Sequence, residues 1–259
     1  MIRFMPVVLA LASAPALAQS FNIDWGSGDH VPADTYGGVG LAGVWNNFES
    51  MPTLERLPLV GLDGAPIAAD IMNIGFDVVE SADLPGPSGD DAALLDDCFT
   101  SFNDPIDGCL FIRFMEPGEY RVILYAVAPD DPLLRSRLRI DQNAEDPVEV
   151  GGAWPGSHQP GVTYMQQVAT VGADGRLDFH SGLPGANIRS VLSAMQVVRV
   201  EACVADLAEP VGVLDFSDVV AFLGAFAAGA PEADLAEPVG AFDFSDVVAF
   251  LGAFAAGCP

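Results

Sequence analysis

The side chains able to do chemistry in this chain are mainly carboxylates and aromatic rings. There are 36 acidic residues against 10 basic ones, and only three histidines, His30, His158 and His180. No G-x-S-x-G, Walker-type or H-E-x-x-H motif occurs, so a non-catalytic protein is the expectation. Acid pairs suited to glycoside hydrolysis are unavoidable among so many carboxylates, and their number decides nothing. Carboxylates are also hard oxygen ligands, which makes calcium a natural partner. Sugar binding needs exposed aromatic platforms beside polar groups. The candidates are Tyr36, Trp45, Trp154 and Tyr164, with Trp154 in a Gly-Gly-Ala-Trp-Pro-Gly-Ser-His loop. For Trp45, as for Trp25, the competing expectation is a core aromatic at a strand end. Four cysteines permit three connectivities. Local pairing, Cys98–Cys109 and Cys203–Cys258, is expected, and the absence of C-x-x-C spacing argues against zinc.

The formal net charge is −26, and every basic residue is an arginine. A chain so acidic does not neutralise phosphates, which excludes nucleic-acid binding as a main function and disfavours docking on anionic membranes. Residues 1–18 read as a secretory signal: Arg3, an apolar run from Phe4, then Ala16-Leu17-Ala18 before Gln19. Secretion to the cell surface or beyond is therefore expected, in a compartment that favours disulfides. The other apolar runs, such as 219–228, are too short to span a bilayer.

Short alternating segments separated by Gly, Pro and Asp fill residues 19–200. Segments 119–127, 134–140, 162–171, 176–180 and 191–200 read as strands, and 92–97 as a single helical turn. Even spacing with turn signals predicts a mainly β domain, an antiparallel β-sandwich or jelly roll. In 134–140, Leu134, Ser136, Leu138 and Ile140 share one face, and Arg135, Arg137 and Arg139 the other. That arginine stripe suits an anionic polysaccharide or, more simply, neutralises nearby carboxylates.

Residues 202–259 form a second region built on a repeat. Residues 205–229 (ADLAEPVGVLDFSDVVAFLGAFAAG) recur 28 positions later at 233–257, with changes only at Val213/Ala241 and Leu214/Phe242. Units this short cannot bury an apolar face alone, so the two copies should pack together. In each copy Pro and Gly break the first half. Asp215 or Ser217 then offers an N-cap, and Gly229 a stop. Val219, Phe222, Leu223 and Phe226 recur at helical spacing. The second copy repeats this with Asp243, Ser245, Val247, Phe250, Leu251, Phe254 and Gly257. A domain this small needs a disulfide or a metal to hold it.

The ADLAEP-x-G-x-x-DFSDV-x-AFL repeat and the terminal Gly257-Cys258-Pro259 resemble dockerins, in particular the GC-type variant. The resemblance implies a calcium loop plus one helix per repeat, and docking onto a cohesin-like or cell-surface scaffold protein. The implied metal ligands are Asp206, Glu209, Asp215 and Asp218 in the first copy, and Asp234, Glu237, Asp243 and Asp246 in the second. The third and fifth loop positions depart from the EF-hand pattern. They hold Ala208 and Pro210, then Ala236 and Pro238. The alternative is metal-free: Asp215 and Asp243 as N-caps, Asp218 and Asp246 as first-turn carboxylates favoured by the helix dipole.

In the first region, Phe21-Asn22-Ile23-Asp24-Trp25-Gly26, Thr35-Tyr36-Gly37, Gly43-Val44-Trp45-Asn46, 114–122 and 193–198 resemble malectin-like and galactose-binding-like sandwich domains. The expectation is a secreted, non-catalytic, two-module protein whose sandwich binds carbohydrate. A structural envelope protein without a small ligand, or a polysaccharide-degrading enzyme, are the alternatives.

Overall fold

The computed structural model describes residues 19–26, 28, 30–75, 78–81, 86–101, 108–127, 136–140, 147–181, 190–200, 203–208 and 214–257. The signal-like segment, Glu209 and Cys258 lie outside these residues. The chain divides into two compact units between Arg199 and Val200.

The first unit is a jelly-roll β-sandwich. Its strands are β1 (Phe21–Asp24), β2 (Trp45–Asn47), β3 (Arg56–Val60), β4 (Pro66–Ile74), β5 (Val78–Ser81), β6 (Asp97–Ser101) and β7 (Gly108–Arg113). They continue with β8 (Gly118–Tyr125), β9 (Ser136–Ile140), β10 (Val148–Val150), β11 (Tyr164–Val171), β12 (Leu177–Ser181), β13 (Ser190–Leu192) and β14 (Ala194–Val200). One helix, α1 (Asp90–Leu95), precedes β6. A five-stranded sheet runs β11-β8-β14-β1-β2, a six-stranded sheet β10-β9-β12-β7-β4-β3, and a three-stranded sheet β13-β6-β5.

Strand alternation builds the core. Phe21 and Ile23 of β1, Tyr120, Val122 and Leu124 of β8, and Met195 and Val197 of β14 line one side. Leu110 and Ile112 of β7, Leu138 and Ile140 of β9, and Phe179 of β12 line the other. On β9 the buried residues are Ser136, Leu138 and Ile140, with Arg137 and Arg139 on the opposite face, as the sequence pattern requires. The five-stranded sheet is apolar on its second face too. There Ile123, Tyr125, Val127, Ala194 and Trp45 form a separate cluster with Leu94 and Leu95 of α1. A sheet covered on both faces needs loops above it, and those loops carry the candidate site.

The same alternation corrects the expected Cys98–Cys109 bridge: both residues are thiols. Cys98 lies on β6, in register with Glu80, and is fully buried in the main core. Cys109 lies on β7, next to the inward-facing Leu110, and its Sγ meets His180 on the outer face of the six-stranded sheet. The two sulfurs belong to different sheets and point to different surfaces. Cys203 is half of a disulfide; its expected partner, Cys258, lies outside the described residues.

The second unit holds α2 (Phe216–Ala228) and α3 (Phe244–Ala256), with a 3-10 turn at Pro231–Ala233. Asp215 caps α2 and Asp243 caps α3, each by accepting from the backbone N–H two residues on. Gly229 closes α2 in the left-handed conformation, φ 66° and ψ 36°, where a side chain would be strained. Phe222 and Phe250 stack at 4.1 Å, and both are buried. Ala205, Ala233, Val219, Phe226, Val247 and Phe254 complete this small core. Leu223 and Leu251 depart from the expected helix face: they are 52% and 50% exposed. The apolar stripe is narrower than the i, i+3, i+4, i+7 spacing suggests, because Ala225 and Ala253 fill the inner position instead. Among the described residues, no helix is long and apolar enough to cross a membrane.

Candidate functional site

The site grows from the second face of the five-stranded sheet. Because β8 alternates, Tyr125 points away from the main core and is fully buried under loops. Its hydroxyl donates to Gln196 Oε1 at 2.7 Å and accepts from the Val39 backbone N–H at 2.8 Å. The register of β11 on β8 sets Tyr164 opposite Tyr125, with ring centres 6.0 Å apart. Trp45 enters from β2 and is buried. Its indole N–H donates to the Tyr36 carbonyl at 3.3 Å, and Tyr36 stacks beside it at 6.4 Å. His158 packs edge-on against both Tyr125, at 5.2 Å, and Trp154, at 5.3 Å. Trp154 lies against Gly86, where a Cβ would stand 3.0 Å from the indole and φ is +122°.

All four aromatic candidates therefore belong to one cluster. Tyr36, Trp154 and Tyr164 are half-buried and line its edge, whereas Trp45 is enclosed and supports Tyr36. Trp25 lies elsewhere, fully buried and stacked on Phe99.

A polar triangle joins the three covering segments. The Tyr36 hydroxyl donates to Asp91 Oδ1 at 2.5 Å and meets His158 Nε2 at 2.9 Å. His158 Nε2 lies 3.3 Å from the same Asp91 oxygen. Thr163 Oγ1 approaches His158 Nδ1 at 3.3 Å. Asp90, next to Asp91, accepts from the Ala33 backbone N–H at 2.9 Å, so α1 is tied to the 30–40 loop twice. Burial first, then the Asp91 carboxylate, pushes the Tyr36 phenol well above the usual tyrosine range. Burial likewise raises Tyr125. Burial lowers His158, against the opposing pull of Asp91, and keeps the ring neutral in neutral solution. The result is a hydroxyl, an imidazole and a partly exposed carboxylate beside half-exposed rings. Such a set can stack an apolar sugar face and exchange hydrogen bonds with its hydroxyls.

Asp91, His158, Tyr125 and Thr163 were not among the sequence candidates. Asp91 lies just before the helical turn predicted at 92–97, and its partner Tyr36 is 55 positions away. The only local signal was His158, four residues after Trp154 in the same loop.

The helix-end aspartates of the second unit are engaged with backbone. Asp218 Oδ1 accepts from the N–H groups of Leu207 and Ala208, both at 2.8 Å, and its Oδ2 from Asp215 N at 2.9 Å. Asp246 repeats this with Leu235, Ala236 and Asp243. These backbone donors, that of the capping residue first, hold both carboxyls below the usual range. Asp215 and Asp243 accept from Ser217 and Ser245. Asp234 accepts from Gly240 N at 2.6 Å, and Glu237 is exposed. Asp206 sits in the turn after Cys203, its N–H donating to the Cys203 carbonyl at 2.9 Å. Among the described residues no group of three or more acid, histidine or cysteine side chains is placed to hold a metal ion. Asp218 and Asp246 each accept three backbone N–H groups, whereas Asp234 Oδ1 is buried without a hydrogen-bond partner.

No protein-family profile and no curated protein match the chain. Similar solved structures include a Bacillus subtilis protein at 12% identity, covering 71% of this chain and 40% of that one, TM-score 0.41. The ANXUR1 extracellular domain of Arabidopsis thaliana matches at 13% identity over 71% of this chain and 49% of that one, TM-score 0.45. A family 35 carbohydrate-binding module from Clostridium thermocellum matches at 10% identity over 49% of this chain and 90% of that one, TM-score 0.31. The chain thus spans less than half the length of the first two.

Proposed function

We propose that the sandwich binds carbohydrate on the face formed by Tyr36, Trp154 and Tyr164, without catalysing a reaction. The observation that carries this reading is the gathering of these rings, from three separate segments, around the Tyr36–Asp91–His158 triangle. Trp154 and Tyr164 supply stacking surface. Asp91 accepts sugar hydroxyls, and His158 and Tyr36 hold it in place. A glycan array probed with the full chain tests this. The reading expects discrete glycan signals that drop at least tenfold in Trp154→Ala. An array without signal, or equal binding by the variant, overturns it.

The second unit acts as the docking module of an extracellular or cell-surface protein. It exposes two equivalent apolar stripes, Phe216, Val220 and Leu223 on α2 and Phe244, Val248 and Leu251 on α3, each residue at least half exposed. Surface apolar groups concentrated in this way mark interaction sites, and here each repeat presents one. The docking reading is metal-free, because the helix-end carboxylates Asp215, Asp218, Asp243 and Asp246 accept from backbone N–H groups. Calorimetric titration of the full chain with calcium should give no saturable heat, and two sites of micromolar affinity would contradict it.

A further inference from the structure

The charges around the aromatic face are unbalanced, and the imbalance narrows the saccharide it takes. Asp91 Oδ1 is shared by the Tyr36 hydroxyl and His158 Nε2. Among the described residues Asp91 Oδ2 has no hydrogen-bond partner, and the side chain is 34% exposed. Both of its neighbours are neutral. Burial and Asp91 hold the proton on Tyr36, and burial keeps His158 uncharged. The carboxylate charge is therefore not cancelled where it stands. More acid surrounds it: Asp90, half-exposed, is next in the chain, and Asp34, exposed, lies two positions before Tyr36. Segments 30–50, 86–101 and 151–164, which carry the face, contain no lysine or arginine. Among the described residues, the cation on the same sheet face is Arg121, four positions along β8 from Tyr125 and opposite Val168. Burial dominates the Tyr125 phenol, with Arg121 and Asp91 pulling it in opposite directions. Arg135 and Arg189 lie outside the described residues.

A carboxylate without a cation, beside aromatic rings, suits an ammonium group. A hydrogen bond between two ionised groups is about twice as strong as a neutral one, and the face of a tryptophan or tyrosine attracts a cation. His158 links the two parts of the face: it lies 3.3 Å from Asp91 and packs on Trp154 at 5.3 Å. We propose that the Tyr36–Trp154–Tyr164 face selects saccharides bearing a free, protonated amino group, with the ammonium on Asp91 Oδ2 and the sugar ring on Trp154. This rests on the carbohydrate reading and adds the charge of the ligand to it. N-acetylation removes the charge that pairs with Asp91. A uronic acid brings a second negative charge to Asp90 and Asp91 and is repelled.

The test is calorimetric titration of the full chain with a tetrasaccharide of glucosamine, its fully N-acetylated form and a tetrasaccharide of galacturonic acid, below the pKa of the amine. The amine form should bind at least tenfold tighter than the acetylated form, and the galacturonate should give no heat. Asp91→Asn keeps the shape of the side chain and an acceptor for Tyr36, and should bind the amine and acetylated forms alike. Trp154→Ala leaves Asp91 untouched and should weaken the amine form at least tenfold, which separates this face from the general acidity of the chain. An equal concentration of spermidine should not displace the amine saccharide. Equal affinity for the amine and acetylated forms, both lost in Trp154→Ala, overturns the amine preference and leaves the carbohydrate face standing. No binding by any of the saccharides overturns both. Amine binding that survives Trp154→Ala, a preference that persists in Asp91→Asn, or binding of the galacturonate overturns the proposal. So does displacement by spermidine, which marks a plain cation site.

Discussion

Replacing Tyr36 by Phe removes one oxygen from the centre of the candidate site and leaves the ring in place. That hydroxyl donates to Asp91 at 2.5 Å and meets His158 at 2.9 Å. If its proton goes to Asp91, His158 must donate from Nε2, and Nδ1 is left to accept from Thr163. A hydrogen bond to a charged group contributes about 1.5–3 kcal/mol. The Asp91 side chain is 34% exposed, so water replaces part of the loss and the lower end, about 1.5 kcal/mol, applies. At about 2–4 °C per kcal/mol for a domain of this size, the melting temperature should fall by about 3–6 °C. His158 Nε2 then has Asp91 as its remaining partner, at 3.3 Å, and the His158 pKa should rise above the depressed value it has in the parent. Calorimetry reads the first effect, and an NMR titration of the imidazole Cε1–H reads the second. A melting point within about 1 °C of the parent, together with an unmoved His158 titration, would refute the triangle as a structural unit.

Three further outcomes follow from single side chains. His158 is lowered by burial, so the folded state disfavours its proton. Stability should therefore be unaffected above its unfolded pKa, about 6.5, and decline as pH falls below it; His158→Asn should flatten that limb of the stability–pH curve. Asp24 is almost fully buried, with Asp97 and Asp96 nearby, and burial raises its carboxyl well above the usual range. The folded state then favours the protonated form, and the cost of ionisation grows as pH rises past about 3.9. Asp24→Asn should stabilise the sandwich at pH 7, and the gain should vanish in acid; equal melting points at pH 7 would contradict this. Phe222→Ala removes half of the 4.1 Å stack on Phe250 and should cost about 3–5 kcal/mol. Hydrogen exchange should show α2 and α3 losing protection while the sandwich strands keep theirs, with Phe250→Ala behaving the same way; retained helix protection would contradict the packing.

Local patterns carried the elements, and long-range pairing carried the site. The alternation of β9 is readable because one face is apolar and the other holds Arg137 and Arg139. The two helices are readable because Asp215 and Gly229, and their copies, punctuate each repeat. Leu223 was misplaced because a helix with Ala225 available can bury the smaller residue and leave leucine outside. Cys98 and Cys109 are close in sequence, but they sit on strands of different sheets and face different surfaces, a fact that only topology supplies. Tyr36, Trp154 and Tyr164 are visible in the sequence as candidate aromatic platforms. Their convergence depends on Tyr125 pointing outward from β8 and on Asp91 reaching across 55 positions, for which the sequence offers no local sign.

The carbohydrate-binding face is tested most directly by the three tryptophan indole N–H signals. Trp25 donates to Met51 Sδ at 3.1 Å and Trp45 to the Tyr36 carbonyl at 3.3 Å, whereas Trp154 lies at the edge of the cluster. Titration of the full chain with an array-selected saccharide, followed by ¹⁵N NMR, should shift the Trp154 indole signal most, with Trp45 following weakly and Trp25 unmoved. A saccharide that binds and shifts Trp25, or leaves Trp154 in place, would contradict the site.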